Sequence, residues 1–325
     1  MDSVTQFALG AAIGEATLGR KAGYRAALWG GVCATLPDLD SFVPFADAVA
    51  SFTYHRSASH SLLVLPLLVP LLVWMIRKAH PGLAGFRKQW YLLVFLALET
   101  HPLLDAFTVY GTQLFWPLSE YPVSGSTVFI VDPAYTLPLL IGVMAALCLS
   151  RQKNTGHRLN YAGIVLSSCY LAWTVGAKIH VEYRAREALQ RQNIEYSRLM
   201  STPAPFNTIV WRVIAMQEHG YVDGFYSFRE RQDTIKFTHY SSDRSLLRGI
   251  ETHWPVRRLQ WFTHGFFKVS ADQGAIFMTD LRMGLEPNYI FRFKVAEISN
   301  PHPVPVTSVL MPEFTGGPGL ARMTD

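Results

Sequence analysis

The first half of the chain is a succession of apolar blocks separated by short polar loops, and this pattern ends near residue 180. From Glu182 onward, charged and polar residues recur every few positions. Only 16% of the 325 residues are charged, against about 25% in a typical soluble domain. The sequence therefore predicts an apolar, membrane-embedded part followed by a water-soluble part.

Six of the apolar blocks approach the length of a membrane-spanning helix, which needs about 20 residues to cross a hydrocarbon core about 30 Å thick. They are residues 4–19, 23–36, 61–76, 92–108, 133–150 and 161–179. The first two are rich in Gly and Ala, which favours close packing between helices. These blocks predict a mainly α fold over residues 1–180, a polytopic membrane bundle of about six helices.

The distribution of Lys and Arg predicts an orientation for this bundle. Basic residues are concentrated in the loops after the first, third and fifth blocks, whereas the loops 37–60 and 109–132 contain only Arg56. Because basic loops tend to stay in the cytoplasm, we expect the loops 37–60 and 109–132 on the periplasmic side. With six spans, the C-terminal part would also be periplasmic, in a multi-pass protein of the bacterial inner (cell) membrane.

The second half of the chain has the composition of a soluble domain. Residues 181–202 mix charged and apolar residues at helical spacing, which predicts a helical stalk. Residues 203–325 contain short alternating runs that predict a small soluble α+β or β domain, namely 234–240, 261–269, 275–280 and 289–295. Its basic residues are dispersed, which argues against nucleic acid as a partner and leaves a protein partner for this domain open.

Three clusters of Asp and His fall on the predicted outer side of the membrane. Imidazole and carboxylate ligands together suit zinc, manganese or iron, and two such ions a few ångströms apart form a hydrolytic site. We therefore predict one or two divalent ions, zinc in preference to manganese. The candidate ligands are Asp38, Asp40, His55, His60, His101 and Asp105.

His101 and Asp105 are the most constrained of these candidates. They lie four positions apart in a predicted helix, so their side chains share one face and can bind a single ion. Ionisable side chains at membrane depth are costly and usually functional, although a structural His/Asp pair between helices is the alternative. For Asp38 and Asp40, the alternative is a turn that ends a helix.

Two further roles follow from the neighbours of these ligands. Arg56 directly follows His55, where its guanidinium could stabilise the anionic transition state of a hydrolysis, or else reach toward lipid headgroups. A carboxylate that does not bind metal, either Asp2 or Asp40, is the candidate general base.

The order and spacing of the clusters resemble those of the membrane-bound metal-dependent hydrolase family, also called LexA-binding, inner-membrane-associated hydrolases. The matching elements cover nearly half of the chain: Leu36-Pro37-Asp38-Leu39-Asp40, His55-Arg56 with Ser59-His60-Ser61, and His101 to Asp105 with Thr108, Gly111 and Trp116-Pro117. Many members carry a His near the N-terminus where this chain has Gln6, so Asp2 is the alternative ligand from the first helix.

The resemblance also carries an expectation about the substrate. The family's His/Asp pattern is distantly similar to that of zinc-dependent phospholipases C, which implies a phosphoester substrate. In a membrane setting, a phospholipid or a lipid-linked phosphate is the natural candidate. The soluble domain resembles an extension found in a longer subset of the family, and this resemblance implies no function for the domain.

The sequence thus predicts an enzyme, an inner-membrane metal-dependent hydrolase that cleaves an ester or phosphoester at the periplasmic face with metal-activated water. The alternative is a metal-stabilised membrane scaffold or partner-binding envelope protein without catalysis, whose ion would have no open coordination position. A transporter ranks third, because the inner halves of the predicted helices are apolar apart from Glu15.

Overall fold

The computed structural model describes residues 1–149, 154–230, 235–299 and 302–312. The chain forms two compact units, each assembled from several segments. The first unit contains Met1–Val43, Arg56–His180 and Thr202–Val210. The second contains Pro44–His55, Val181–Ser201 and the described residues from Trp211 onward. The division at residues 180 and 202 stays a prediction, and its last stretch, 313–325, lies outside the described residues.

The helices of the described chain are α1 (Ser3–Gly14), α2 (Arg20–Ala22), α3 (Tyr24–Thr35), α4 (Ala48–Tyr54), α5 (Leu65–Ala79), α6 (Arg87–Asp105), α7 (Pro133–Cys148), α8 (Thr155–Arg191) and α9 (Trp254–Phe262). A π-helical turn, Glu15–Gly19, joins α1 to α2. Two 3-10 turns, Leu36–Phe42 and Ala58–His60, flank α4 in the sequence. All of these helices except α4, α9 and the end of α8 belong to the first unit.

Small residues determine how α1 packs in the first unit. A Cβ atom at Gly10 would collide with the carbonyl oxygen of Gly30 in α3, and one at Gly14 would collide with that of Ala26. The two helix backbones therefore touch directly, as the Gly- and Ala-rich composition of both segments predicts. Beside them, α3, α5 and α6 share a core of buried aliphatic side chains such as Val69, Val73 and Leu98.

The prediction of a six-helix membrane bundle is wrong. In the described part of the chain, α8 is the single helix that is long and apolar enough to cross a membrane. A second span would exist only if Ala48–His60 and Leu65–Ala79, which are bent by 64°, formed one broken span.

Helix length and charge explain this correction. α1 and α3 have 12 residues each, or about 18 Å at about 1.5 Å per residue, well short of the hydrocarbon core. α6 has 19 residues but includes Arg87, Lys88, Glu99 and Asp105, which lower its hydropathy. The apolar blocks do form helices, yet their hydrophobicity serves packing in the unit. The multi-pass topology therefore loses its support, and the side of the membrane that each loop faces stays a prediction.

The second unit is rich in β-structure. Its strands are β1 (Arg198–Pro203), β2 (Val210–Gln217), β3 (Gly220–Ser227), β4 (Phe237–Ser241), β5 (Phe267–Asp272), β6 (Ala275–Asp280), β7 (Gly284–Leu285), β8 (Asn288–Tyr289), β9 (Arg292–Glu297) and β10 (Val304–Leu310). One sheet has the order β1-β2-β3-β4, a second has the order β10-β9-β6-β5, and β7 pairs with β8.

An early segment of the chain contributes to the core of this second unit. Phe52 of α4 is 5% exposed, and its ring lies 4.9 Å from that of Phe262, 4.4 Å from that of Phe291 and 5.2 Å from that of Phe293. The Val49 backbone N–H donates to Ser308 Oγ on β10. The short helix α4 thus packs with strands and a helix that come some 200 residues later in the sequence.

Candidate metal centre

Four side chains from three separate segments of the first unit converge at one point. Asp38 comes from the 3-10 turn after α3, His60 ends the turn Ala58–His60, and His101 and Asp105 lie in the last two turns of α6. One ligand atom from each residue lies within 4.8 Å of the other three. We call these four residues the His/Asp cluster. Three of them have fully buried side chains, whereas the Asp38 side chain is 21% exposed.

The spacing of these atoms fits a single tetrahedral ion. The two histidine Nε2 atoms are 3.1 Å apart. Asp38 Oδ1 lies 3.6 Å from His60 Nε2 and 3.4 Å from His101 Nε2, and Asp105 Oδ2 lies 3.4 and 3.6 Å from the same two atoms. Zinc with bond lengths of about 2.0–2.1 Å separates tetrahedral ligand atoms by about 3.3–3.4 Å. Five of the six distances between the four atoms therefore suit one divalent ion of this size, which the cluster could hold.

The orientation of the two histidines also fits metal binding. His101 Nδ1 lies 2.5 Å from the carbonyl oxygen of Ala34, to which it donates. His60 Nδ1 lies 2.9 Å from Ser59 Oγ and 3.5 Å from Asp40 Oδ2. With the proton on Nδ1, each ring directs the Nε2 lone pair into the cluster, as metal-binding histidines do. Two lone pairs at this separation repel each other unless a cation or a proton lies between them.

Asp105 is held from several sides. Its Oδ1 accepts a hydrogen bond of 3.0 Å from Gln6 Nε2 and contacts the Met1 nitrogen. Its Oδ2 lies 3.1 Å from Arg56 Nε but accepts no well-directed hydrogen bond from the described residues, which suits an oxygen that binds a cation. Burial alone would raise the pKa of Asp105, yet the charges of Arg56 and the Met1 amine hold it well below its usual range.

The pKa of Asp38 is also low. Burial would raise this pKa, but hydrogen bonds with His101 and His60 outweigh that effect and lower it well below the usual range for an aspartate. Asp38 is therefore an anion in the folded protein. Two carboxylates and two imidazoles form a donor set that suits zinc and also accepts manganese.

Arg56 lies inside the first unit rather than at its surface. It is 5% exposed, its Nη1 lies 3.2 Å from Thr108 Oγ1, and its guanidinium lies 5.0 Å from the centre of the Tyr110 ring. Its backbone has a φ of 63°, in the left-handed region that non-glycine residues rarely adopt. The guanidinium lies 3.1 Å from Asp105 Oδ2 and compensates the negative charge of that carboxylate. Its role in stabilising a transition state stays a prediction.

The remaining candidate residues lie outside the four-atom group. Asp40 Oδ2 accepts hydrogen bonds from the Arg56 backbone N–H at 3.0 Å and from Ser59 Oγ at 2.5 Å. Asp2 caps α1 by accepting from the backbone N–H groups of Val4 and Thr5. His55 directly follows α4 and is assigned to the second unit. The roles of Asp2, Asp40 and His55 as ligands or as a general base stay predictions.

Two residues near the cluster, Gln6 and Ser59, were named in the resemblance but were given no role there. Gln6 is fully buried and donates to both Asp105 and the carbonyl oxygen of His101. Ser59 connects Asp40 to the His60 ring. A glutamine within an apolar block was a detectable signal for Gln6, because a buried amide must find hydrogen-bond partners. For Ser59, the signal was its place in the matching element Ser59-His60-Ser61.

Comparison with known proteins bears on the part of the chain that contains this cluster. The family model described as YdjM inner membrane protein matches residues 1–181, more than half of the chain. No curated protein and no solved structure matches the chain. All four residues of the His/Asp cluster and most of α8 fall within the matched range. The chain belongs to the YdjM inner membrane protein family.

Proposed function

We propose that this inner-membrane protein is a divalent-metal-dependent hydrolase whose substrate is a phosphoester carried by a membrane lipid. The observation that carries the proposal is the geometry of the His/Asp cluster, in which five of the six distances between donor atoms are close to those of a tetrahedral zinc site. A buried carboxylate oxygen without a well-directed hydrogen bond, Asp105 Oδ2, adds support.

Each residue around the cluster has a defined task in this proposal. Asp38, His60, His101 and Asp105 would hold the ion, which when bound lowers the pKa of water and polarises the phosphoester. The Ser59 hydroxyl and the Ala34 carbonyl group keep the two imidazole rings in the tautomer that can bind metal. Arg56 compensates the charge of Asp105 in a buried environment, where an uncompensated carboxylate would be costly.

The exposed residues around Asp38 favour a lipid substrate. Asp38 is the one partly exposed member of the cluster, so a substrate would approach along its turn. Beside it, Leu39 is 54% exposed, Phe42 is 82% exposed and Val43 is 51% exposed. Adjacent exposed apolar side chains of this size are unusual on soluble surfaces and suit contact with acyl chains.

A second candidate function has one observation in its favour. Four protein ligands already fill a tetrahedron, which is the arrangement of structural zinc sites, whereas catalytic sites keep one position open. The alternative is therefore a metal-stabilised scaffold or partner-binding envelope protein without catalysis. In that case metal would be required for the fold and would have no substrate.

The two candidates can be separated with the full-length protein purified in detergent. Metal content is measured by mass spectrometry, and hydrolysis is assayed on diacyl phospholipids and on short-chain, water-soluble phosphoesters. We expect one equivalent of zinc, loss of hydrolysis after chelation and recovery with Zn²⁺. The variant Asp105→Ala should be inactive, and the control Asp47→Asn, which removes a charge at the start of α4 and outside the cluster, should remain active.

The outcome that would overturn the hydrolase proposal is a zinc-loaded protein that cleaves none of these phosphoesters although chelation lowers its melting temperature. The lipid part is tested by Phe42→Ser, which should reduce cleavage of vesicle substrates and leave the water-soluble substrates unaffected. An equal loss on both substrate types would contradict the docking role of Phe42.

A further inference from the structure

The four members of the His/Asp cluster are not equally supported by their surroundings. His60 is held through Ser59, and His101 through the carbonyl oxygen of Ala34. Asp105 is held through Gln6 and faces Arg56. Groups that hydrogen-bond to a metal ligand fix its orientation and raise its affinity for the ion. Three of the four ligands thus have such a support.

Asp38 lacks this support. In the described part of the chain, the contacts of its carboxylate are with His60 Nε2 at 3.6 Å and His101 Nε2 at 3.4 Å, which are themselves ligand atoms. No backbone N–H or outer side chain of the described residues holds the carboxylate in place. Its position therefore depends on the ion that it would bind.

Asp38 also differs from the other three members of the cluster in how far its side chain is exposed. Its side chain is 21% exposed, whereas those of His60, His101 and Asp105 are fully buried. It belongs to a seven-residue 3-10 turn, a less regular element than the 19-residue helix α6 that carries two of the other ligands. Asp38 therefore lies on the solvent-facing side of the cluster, where a substrate would arrive.

We propose that Asp38 is a displaceable ligand, whose position at the ion is taken by a phosphate oxygen of the substrate while His60, His101 and Asp105 retain the ion. This inference rests on the proposed function. Both groups are anionic oxygen donors, so exchanging the carboxylate for a phosphodiester would leave the summed charge of the groups bound to the ion unchanged. The three ligands that remain match the number found in catalytic zinc sites.

This exchange reconciles a closed tetrahedron with catalysis. In the absence of substrate, Asp38 would complete the set of ligands and would keep a bound ion from binding other anions. When a phosphoester arrives, the turn Leu36–Phe42 need only move its carboxylate away, because no other hydrogen bond of the described residues holds that side chain. Asp38 would then be the residue that controls access to the ion.

The test uses the full-length protein loaded with Co²⁺, whose visible absorption reports the number of ligands, and inorganic phosphate as the probe. Asp38→Asn should keep one equivalent of metal, with an affinity loss no larger than that for removing a residue that supports a ligand, about 10–100-fold. Asp105→Asn, which removes a buried ligand charge, should lose far more. Asp47→Asn, at the residue that caps α4 by accepting from the Ala50 backbone N–H, serves as the matched control and should bind metal like the unmodified protein.

The phosphate titration gives the decisive signature. Phosphate should change the Co²⁺ spectrum of the unmodified protein, and it should bind Asp38→Asn about tenfold more tightly, because it no longer competes with a charged carboxylate. The inference is overturned if Asp38→Asn loses its metal as completely as Asp105→Asn. It is also overturned if phosphate leaves the spectrum of the unmodified protein unchanged, a measurement that needs no variant.

The inference and the proposed function can fail separately. If phosphate displaces Asp38 as described but no phosphoester is cleaved, the displaceable ligand is supported and the hydrolase proposal fails. If phosphoesters are cleaved by a protein whose Asp38→Asn variant has lost its metal, the hydrolase proposal survives and Asp38 is a permanent ligand.

Discussion

Replacing Asp40 should weaken metal binding without abolishing it. Asp40 Oδ2 accepts the Ser59 hydroxyl proton, so the Ser59 oxygen is free to accept the proton on His60 Nδ1. Without this carboxylate, the hydroxyl can rotate and donate to Nδ1 instead. The His60 proton then moves to Nε2, where it blocks the metal. Asp40 therefore acts on the ion through the tautomer of His60.

The size of the effect follows from this indirect role. Removing a group that hydrogen-bonds to a metal-binding histidine costs about 10–100-fold in affinity, or about 1.4–2.7 kcal/mol. Asp40→Ala should fall near the upper end, because it also removes the acceptor of the Arg56 backbone N–H, 3.0 Å away. Asp40→Asn keeps an oxygen in place and should fall near the lower end. A loss far above 100-fold would indicate that Asp40 binds the ion directly.

The measurement is an equilibrium competition for Zn²⁺ between the detergent-purified protein and a chromogenic chelator at constant pH. Asp47→Ala is the matched control, because Asp47 caps α4 by accepting from the Ala50 backbone N–H and lies outside the His/Asp cluster. Loss of that cap should cost about 0.5–2 kcal/mol of stability and leave zinc affinity unchanged. The reasoning is refuted if Asp40→Ala binds zinc like the unmodified protein, or if Asp47→Ala weakens binding as much as Asp40→Ala does.

Three further predictions address the cluster, the second unit and the membrane. His101→Ala should remove bound zinc, and adding Asp105→Asn should reduce metal content no further, because residues that act as a unit are not additive; retained zinc in the single variant would contradict the assignment. Phe52→Ala should destabilise the second unit by about 3–5 kcal/mol and Phe52→Leu by less than about 1.5 kcal/mol, as measured by urea unfolding of the full chain, and equal effects would argue against the observed packing. Leu166→Asp, at a 60% exposed position of α8, should cost about 2.5–3.5 kcal/mol of insertion and increase the fraction extracted by carbonate, whereas Leu166→Val should not.

The residue types of the His/Asp cluster were predictable, but its exact members were not. His101 and Asp105 lie four residues apart on α6, and helical periodicity alone places them together. The choice between Asp38 and Asp40 depends on the 3-10 turn, which directs one carboxylate to the histidines and the other to Ser59. Such a choice depends on tertiary contacts that sequence spacing does not encode.

The prediction of six membrane spans failed because apolar residues serve two purposes, packing in a protein core and contact with lipid. The apolar blocks 4–19 and 23–36 predicted membrane spans whose Gly and Ala allow close helix packing. The close packing is present between α1 and α3, but each helix has only 12 residues. The same composition serves a protein core and a bilayer, and helix length is what separates the two. Among the described helices, α8 alone is both long enough and apolar enough to cross a membrane.

Strand prediction in the second unit succeeded where alternation was strict. The run 275–280 coincides with β6, and 289–295 overlaps β8 and β9. Residue 234 of the run 234–240 lies outside the described residues, and the rest overlaps β4. The run 261–269 was only partly correct, because its start belongs to α9, where Val256, Leu259 and Phe262 are buried at helical spacing.

The position of α4 in the second unit has a consequence for how the protein is made. Phe262, one of the aromatic partners of Phe52, follows it by 210 residues. At about 5–20 residues per second, a ribosome needs roughly 10–40 s to synthesise that interval. During this time α4 has emerged without the strands that bury it, although the segments on either side of it carry Asp38 and His60. The order of synthesis therefore leaves Phe52 open to lipid or a chaperone until Phe262, Phe291 and Phe293 have been synthesised.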